Sequence, residues 1–397
     1  DINIKEDFTF FLNNKNTIKF GLNAIHHTFD PGTISGSNFS TNSLENKYAL
    51  EGAIYIQNEQ KLSSKIGLKY GIRYSIFNYM GEGTSFEFDS DGDKINETYY
   101  NSWESIQFYN GFEPRLNLKY LINENNSIKT SFNRNYQYIH LLSNSTASSP
   151  TDTWIPCTNN IKPQIIDQIA AGYFKNLNNN MFEFSLELYY KNLQNQIDYR
   201  NGADIILNGE VESELVYGNG MAYGTELFIQ KTTGKLKGWV SYCLSRTFRQ
   251  FDEINNGNFF PARQDRIHDI AIVLMYKLNE KWSFSSSWVY NTGNAVTFPS
   301  GKYNMNGVTV PLYTERNGYR MPNYHRLDIG ATCYLKKKKN RESSWNFSIY
   351  NAYNRENAYT ITFRQTENEN DNSMAREAIQ TTLFKIVPSI TYNFYFK

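Results

Sequence analysis

Arg246, Arg249, Arg263, Arg266, Arg320 and Arg326 are interleaved with Asp265, Asp269 and Asp328 in the second half of the chain. A guanidinium presents its donors as a planar fork that matches carboxylate and phosphate oxygens, so such a set can hold an anionic ligand such as an iron chelate. The same residues can instead form an Arg/Asp ladder that offsets charge within a protein wall. Earlier, Asp89, Asp91, Asp93 and Glu97 surround Gly92, and alternate carboxylates on a turning loop are a partial match to a Ca2+ site. The glycine comes early for an EF-hand loop and the late bidentate glutamate is displaced, so a solvated acidic loop is the alternative. Tyr99, Tyr100 and Trp103, followed by Phe108 and Tyr109, offer ring faces to a sugar or an aromatic chelator, or else pack as a loop core. His26, His27, His140, His268 and His325 would have to converge in pairs to hold haem or a metal. Neither GxSxG nor HExxH occurs, and no Ser/His/Asp grouping has a spacing that points to catalysis. The reading is of a protein that is not an enzyme.

The elements that must position these residues are strands. In 263–299, Ile270, Ile272, Leu274 and Tyr276 alternate with Asp269, Ala271, Val273 and Lys277; after a turn at 278–281, Trp282, Phe284, Trp288 and Tyr290 alternate with Ser283, Ser285, Ser287 and Asn291. A period of two with a short turn is an antiparallel hairpin. The pattern recurs at 8–12, 17–27, 47–57, 65–77, 112–121, 127–136, 165–174, 181–199, 222–231, 237–246, 326–336, 345–353 and 383–396. That makes about fifteen strands, all in one domain over 1–397. Their connections alternate between brief ones, rich in Asn, Lys and Gly, and long ones at 28–46, 78–111, 137–164, 200–221, 247–262, 300–325 and 364–382. An up-and-down sheet gathers the long connections on one edge, which is the outer-membrane pattern of short periplasmic turns and long extracellular loops.

Composition points the same way. Aromatic residues reach 16%, with 30 Tyr, 27 Phe and 6 Trp, against only 40% hydrophobic residues. With a mean hydropathy of −0.60, this suits aromatic girdles around a polar lumen better than a large buried core. No apolar run approaches the roughly 20 residues of a membrane helix. A net charge of +1 argues for no nucleic-acid partner, and Cys157, Cys243 and Cys333 have no disulfide or zinc spacing. Cys243 and Cys333 fall within strands as small packing residues. The chain starts at Asp1 without a basic-then-apolar leader, so any secretion signal is expected outside it. ENENDN at 367–372 reads as a polar loop tip.

Five segments carry a family resemblance: YGTELFIQKTTGKLKGWVSYCLSRTFRQF (223–251), FPARQDRIHDIAI (260–272), NTGNAVTFPSGKY (291–303), RMPNYHRLDIGA (320–331) and SWNFSIYNAYNRENAYTITF (344–363). Together they resemble the C-terminal barrel of TonB-dependent outer-membrane receptors of the Bacteroidota type. The resemblance implies an all-β, transmembrane, antiparallel up-and-down β-barrel of about 22 strands, with an N-terminal plug and import of a scarce nutrient powered through TonB. About fifteen strands that end with the last one are then the C-terminal part of that barrel, with plug and first strands outside this chain. One missed strand would instead give an even, self-closing barrel of about sixteen. The chain departs from the family in closing on Lys397 after the aromatic Phe396.

The expected function is therefore the wall and ligand-capturing loops of a receptor in the bacterial outer membrane, with the C-terminus periplasmic. Its partners are outer-membrane lipid, TonB by way of the plug, and an imported small molecule: an iron-siderophore, haem, cobalamin, oligosaccharide or peptide. A surface lipoprotein is a further partner that the family allows. A self-contained passive channel and a surface adhesin or assembly barrel are the alternatives.

Overall fold

Alternation of apolar and polar residues at 268–291 becomes a hairpin, and the same grammar repeated along the chain builds one antiparallel sheet. The computed structural model describes residues 1–31, 33–36, 39–89, 91–142, 153–203, 208–305, 308–335, 341–367 and 374–396. The sheet runs in chain order through β1 (Ile2–Asn13), β2 (Asn16–Phe29), β3 (Lys47–Lys61), β4 (Ile66–Met80), β5 (Ser105–Asn123), β6 (Asn126–Gln137), β7 (Gln164–Leu177) and β8 (Phe182–Tyr199). It continues through β9 (Leu215–Lys231), β10 (Leu236–Phe251), β11 (His268–Lys277), β12 (Trp282–Asn291), β13 (Tyr324–Tyr334), β14 (Arg341–Tyr350) and β15 (Val387–Phe396). The two-residue strand Phe260–Pro261 adds to β10 and makes the sheet 16-stranded. Every strand pairs with its sequence neighbours, so the meander inferred from alternation is the observed topology. β1 and β15 are its edges, each paired on one side only among the described residues. None of the described helices is long and apolar enough to cross a membrane.

Cross-strand register sorts the side chains onto two faces, because residues directly opposite point the same way. Phe8, Phe20, Ile56 and Ile72 form one row of partners across β1 to β4. All four are exposed. The opposite face is polar. Its rows include Arg73 against Glu113 and a longer series that runs Lys119, Lys129, Gly172, Glu187, Glu226, Cys243, Asp269 from β5 to β11.

The seven short connections lie on one edge and the seven long ones on the other, as the sequence pattern required. Within the long ones the backbone forms further hairpins, among them Gly83–Phe88 with Lys94–Tyr100 and Ile139–Leu142 with Thr153–Pro156. Strands on the long-loop side outrun their sequence limits. β4 continues past 77 to Met80, β5 starts at Ser105 rather than 112, β9 at Leu215 rather than 222, and β10 ends at Phe251 rather than 246. At the end of β4 the reason is burial on both faces: Phe77, Tyr79 and the adjacent Met80 are all buried, and a strand covered on both sides loses its period of two. Phe77 and Tyr79 join Ala49, Tyr138 and Cys157 in one packed cluster there. A second cluster is made of Leu142, Ile155, Ile161, Ile197, Tyr199 and Leu215. The packed interior of this protein is thus its loop end. The tip at 367–372 lies, except for Glu367, outside the described residues.

Candidate functional site

A cavity of about 1090 Å³ opens at the long-loop end of the polar face, between β6 to β10 and the connections 138–163, 200–214, 252–267 and 292–323. A bulge in β8 determines what lines it. Lys191 and Leu193 share the polar face with Ala222 and Gly220, then the register to β9 slips and Gln196 and Asp198 oppose Gly218 and Val216. Asn195 absorbs the slip at φ 54°, a left-handed conformation that asparagine tolerates better than most residues. An inserted residue turns the following side chains to the other face, so Asp198 enters the cavity. Unbroken alternation would have put it beside Leu188 and Tyr190. On β10, Arg249 is the cross-strand partner of Gly220.

Asp198 is the centre of the charge arrangement. Arg316, from the 292–323 connection, donates from Nη1 to Asp198 Oδ1 at 2.7 Å, and from Nη2 to the Tyr199 carbonyl at 3.0 Å and Asn201 Oδ1 at 2.9 Å. Its backbone N–H donates to Asn255 Oδ1 at 2.7 Å while Asn255 Nδ2 returns a bond to its carbonyl at 3.0 Å, tying two loops together. Arg249 Nη1 stands 3.7 Å from Asp198 Oδ2 and donates to the Ile197 carbonyl at 3.4 Å. Arg249 Nε and Arg200 Nε are buried and donate no hydrogen bond among the described residues. Lys191, Arg200, Arg249, Arg263 and Arg316 line the cavity against Asp198, Glu253 and Glu315. The lining is therefore cationic on balance, with guanidinium donors to spare.

The six arginines singled out by sequence separate into different settings. Arg249 and Arg263 line the cavity. Arg246 and Arg320 instead close on Asp265, which is 1% exposed. Arg246 Nε lies 3.4 Å from its Oδ2, Arg320 Nη2 is bonded to the same oxygen, and the Thr247 N–H donates to Oδ1 at 2.6 Å. Arg320 also donates to the carbonyls of Asp265 and Gly293. Gly293 meets the backbone so closely that a Cβ would collide with the Met321 carbonyl. Gly293→Ala is accordingly expected to destabilise this corner by about 1–3 kcal/mol, read as faster protease cleavage of the 292–323 loop. Arg266 donates to Asn294 Oδ1 at 2.7 Å. Arg326 pairs with Asp328 at 2.9 Å, donates to Tyr324 and Tyr350, and lies 4.2 Å over the Tyr350 ring.

The alternating carboxylates at 89–97 make local contacts. Asp89 Oδ1 accepts the N–H groups of Asp91 and Asp93, each at 2.9 Å. Glu97 pairs with Lys94 at 3.0 Å. Gly92 takes φ +88°, and Arg200 reaches over it to the Asp91 carbonyl at 2.9 Å. Among the described residues no three His, Cys, Asp or Glu side chains come together as a metal site. Tyr99 and Trp103 are exposed, with Tyr99 donating to Glu82 at 3.3 Å and Trp103 5.5 Å from the His26 ring. Tyr100 is partly covered. None of the three lines the cavity.

Sequence reasoning missed the knot that holds the loops. Glu212 is 9% exposed. It accepts Lys47 Nζ at 2.6 Å and both Thr158 Oγ1 and Asn160 Nδ2 at 2.7 Å. Asn160 and Asn159 also donate to the Phe86 carbonyl. One carboxylate thereby joins β3 to three long connections. Burial acts to raise its pKa, but the Lys47 ammonium and the three hydrogen bonds prevail and hold it below the ordinary value. His140, 3.3 Å from Cys157 Sγ, is kept neutral by burial, its pKa lowered to about 4. His27 lies between Asp1 and Glu51, whereas His268 and His325 meet tyrosine hydroxyls at 2.9 and 2.7 Å. All three cysteines are free thiols, with Cys333 buried and Cys243 half-buried in their strands.

The family profile described as "TonB dependent receptor-like, beta-barrel" matches residues 3–368. No curated protein sequence matches. Among solved structures, the ferric-catecholate import receptor Fiu from E. coli K12 in its closed form is similar over 99% of this chain and 54% of its own, at 12% identity and TM-score 0.60. The FrpB iron transporter from Neisseria meningitidis is similar over 98% and 54%, at 15% identity and TM-score 0.61. The ferric citrate transporter FecA in its unliganded form is similar over 99% and 54%, at 11% identity and TM-score 0.56. The chain thus spans about half the length of these relatives.

Proposed function

Because the chain belongs to the TonB-dependent receptor-like β-barrel family, we propose that it forms the wall and capturing loops of an outer-membrane receptor that imports a small, anionic metal chelate. The family is one of receptors and transporters, not enzymes. The observation that carries the reading is the cavity at the loop end, where Arg249, Arg263, Arg316, Arg200 and Lys191 outnumber the lining carboxylates Asp198, Glu253 and Glu315. Guanidinium forks in a partly dry cavity favour oxyanion ligands over neutral ones. The Bacteroidota-type segments and the free edges of β1 and β15 support the reading of this sheet as the C-terminal part of a larger barrel, since an open edge cannot face lipid. Charge on the polar face supports a plug within it. Lys119 opposes Lys129 and Glu187 opposes Glu226 with no counter-ion among the described residues, and like charges directly opposite are unfavourable unless a neighbour neutralises them.

In this reading the apolar face meets lipid, the long loops are extracellular and the C-terminus is periplasmic. Ile72→Arg, in the exposed row of β4, is then expected to destabilise the folded protein in bilayers by about 2–4 kcal/mol. Gln57→Arg, on the polar face of β3 opposite Gly71, is expected to be nearly neutral. A larger effect of Gln57→Arg than of Ile72→Arg in denaturant titrations would mean that the faces are assigned the wrong way round.

The test of function is uptake by cells that carry the full-length protein and are supplied with labelled iron as its citrate or as a neutral trihydroxamate chelate. The expected result is saturable, TonB-requiring uptake of the anionic chelate. Energy-independent passage of both chelates would indicate a passive channel, and binding of macromolecules without uptake of either would indicate an adhesin.

A further inference from the structure

The cavity already holds a carboxylate in the place where the proposed ligand would present one. Asp198 reaches it only because of the bulge at Asn195. There it takes the Nη1 group of Arg316 at 2.7 Å and stands 3.7 Å from Nη1 of Arg249. The two arginines come from different places. Arg249 belongs to β10, a fixed part of the sheet, whereas Arg316 belongs to the 292–323 connection, and its backbone is paired with Asn255 of the 252–267 connection. Asp198 is therefore the charged link between the wall and two loops that overhang the cavity.

We propose that Asp198 is a built-in stand-in for the anionic ligand and a specificity-determining residue of this site: it occupies Arg316 and Arg249 while the cavity is empty, and an incoming oxyanion displaces it. This deepens the reading of the cavity as an anion site and rests on it. Two features of the geometry favour exchange over permanent pairing. The Arg249 contact is long, and its Nη1 spends its hydrogen bond on the Ile197 carbonyl at 3.4 Å. An oxyanion that takes the place of Asp198 therefore breaks no short bond to Arg249, since the two stand 3.7 Å apart. Arg316, by contrast, keeps bonds to the Tyr199 carbonyl and Asn201 when Asp198 leaves. The exchange therefore loosens the loops by one charged contact and does not abandon them.

An internal competitor tethered at short range acts at high effective concentration and lowers the apparent affinity of the ligand by the fraction of time the arginines are free. Such competition also selects. A neutral chelate cannot displace a carboxylate from two guanidiniums, whereas one carrying several carboxylates gains from both.

The decisive comparison uses full-length receptor in detergent with ferric citrate as the probe, for wild type and Asp198→Asn. Asparagine keeps the size and one acceptor oxygen but not the charge. The expected result is at least tenfold tighter binding by the variant, together with faster amide exchange at 252–267 and 292–323 in the unliganded protein. The wild type should reach that faster exchange only on adding ferric citrate. Unchanged or weaker binding by Asp198→Asn, in a protein whose wild type binds, would overturn the stand-in role and leave the anion site intact. Failure of the wild type to bind ferric citrate would instead remove the anion reading beneath it. Should Asp198→Asn fail to assemble, Arg316→Gln serves: faster exchange in the same two loops is expected without ligand, and wild-type exchange there would overturn the proposal.

Discussion

Replacing Glu212 by alanine is expected to destabilise the loop end of the protein by about 3–5 kcal/mol, the usual effect of removing one partner of a buried ion pair. The Lys47 ammonium would be left without its 2.6 Å partner, and Thr158 and Asn160 would each lose the acceptor on which their loop closes. The carboxylate meets the sheet only at Lys47, the first residue of β3, so the effect should be local to the loop end. Long-loop cleavage by protease should accelerate while the barrel's own heat resistance changes little. Glu212→Gln should fall between, since it fills the space but lacks the charge. Acid should mimic the alanine variant. A carboxyl whose folded pKa is depressed contributes stability above its unfolded value that is lost as pH falls through the folded one. Protection of the loops should therefore hold above pH 4.5, the ordinary glutamate value, and decline below it, and Glu212→Ala should abolish that dependence. Loop cleavage that is insensitive to both the substitution and acid would show that the knot does not hold the loops.

What could be read from the residues alone, and what could not, follows from where water and loops touch the chain. β12 was legible because Trp282, Phe284, Trp288 and Tyr290 alternate with Ser283, Ser285, Ser287 and Asn291, and the short turn at 278–281 then makes the apolar run Ile270 to Tyr276 its hairpin partner. The end of β4 from Asn78 to Met80 was not, because Tyr79 and Met80, on opposite faces, are both buried there and the alternation is lost. Asp198 was hidden by a different cause. The bulge at Asn195 reverses the phase of one strand midway, and the run from 181 to 199 looks continuous in the sequence. The asparagines at 192 and 195, unusual in a strand interior, were the only local signal. Arg316 had none, since its partner Asp198 lies 118 residues away and its loop has no period. The interleaving of arginine and aspartate did foretell pairing, as at Arg326 with Asp328, but the closing of Arg246 and Arg320 on one buried Asp265 depends on a loop folding back over its strand.

Arg249→Lys in the full-length receptor is expected to weaken binding of ferric citrate about 10- to 100-fold, and Arg249→Ala more, by about 2–5 kcal/mol. The lysine variant is the more informative. It keeps a positive charge on β10, so the field in the cavity hardly changes, but it replaces a planar fork with a single point donor. If a diffuse positive potential attracts the ligand, lysine should bind as well as arginine. If binding depends on a fork, with one arm on the Ile197 carbonyl and the other on the ligand, lysine must abandon one of the two. Arg326→Lys is the matched control. Its guanidinium is committed to Asp328, Tyr324 and Tyr350 and lies outside the cavity lining, so affinity should not change even if the wall there softens. Equal losses at the two positions would mean that net charge on the polar face, not the loop-end cavity, governs capture. A loss confined to Arg249 would locate ligand recognition on β10, a part of the cavity wall that the sheet itself holds in place.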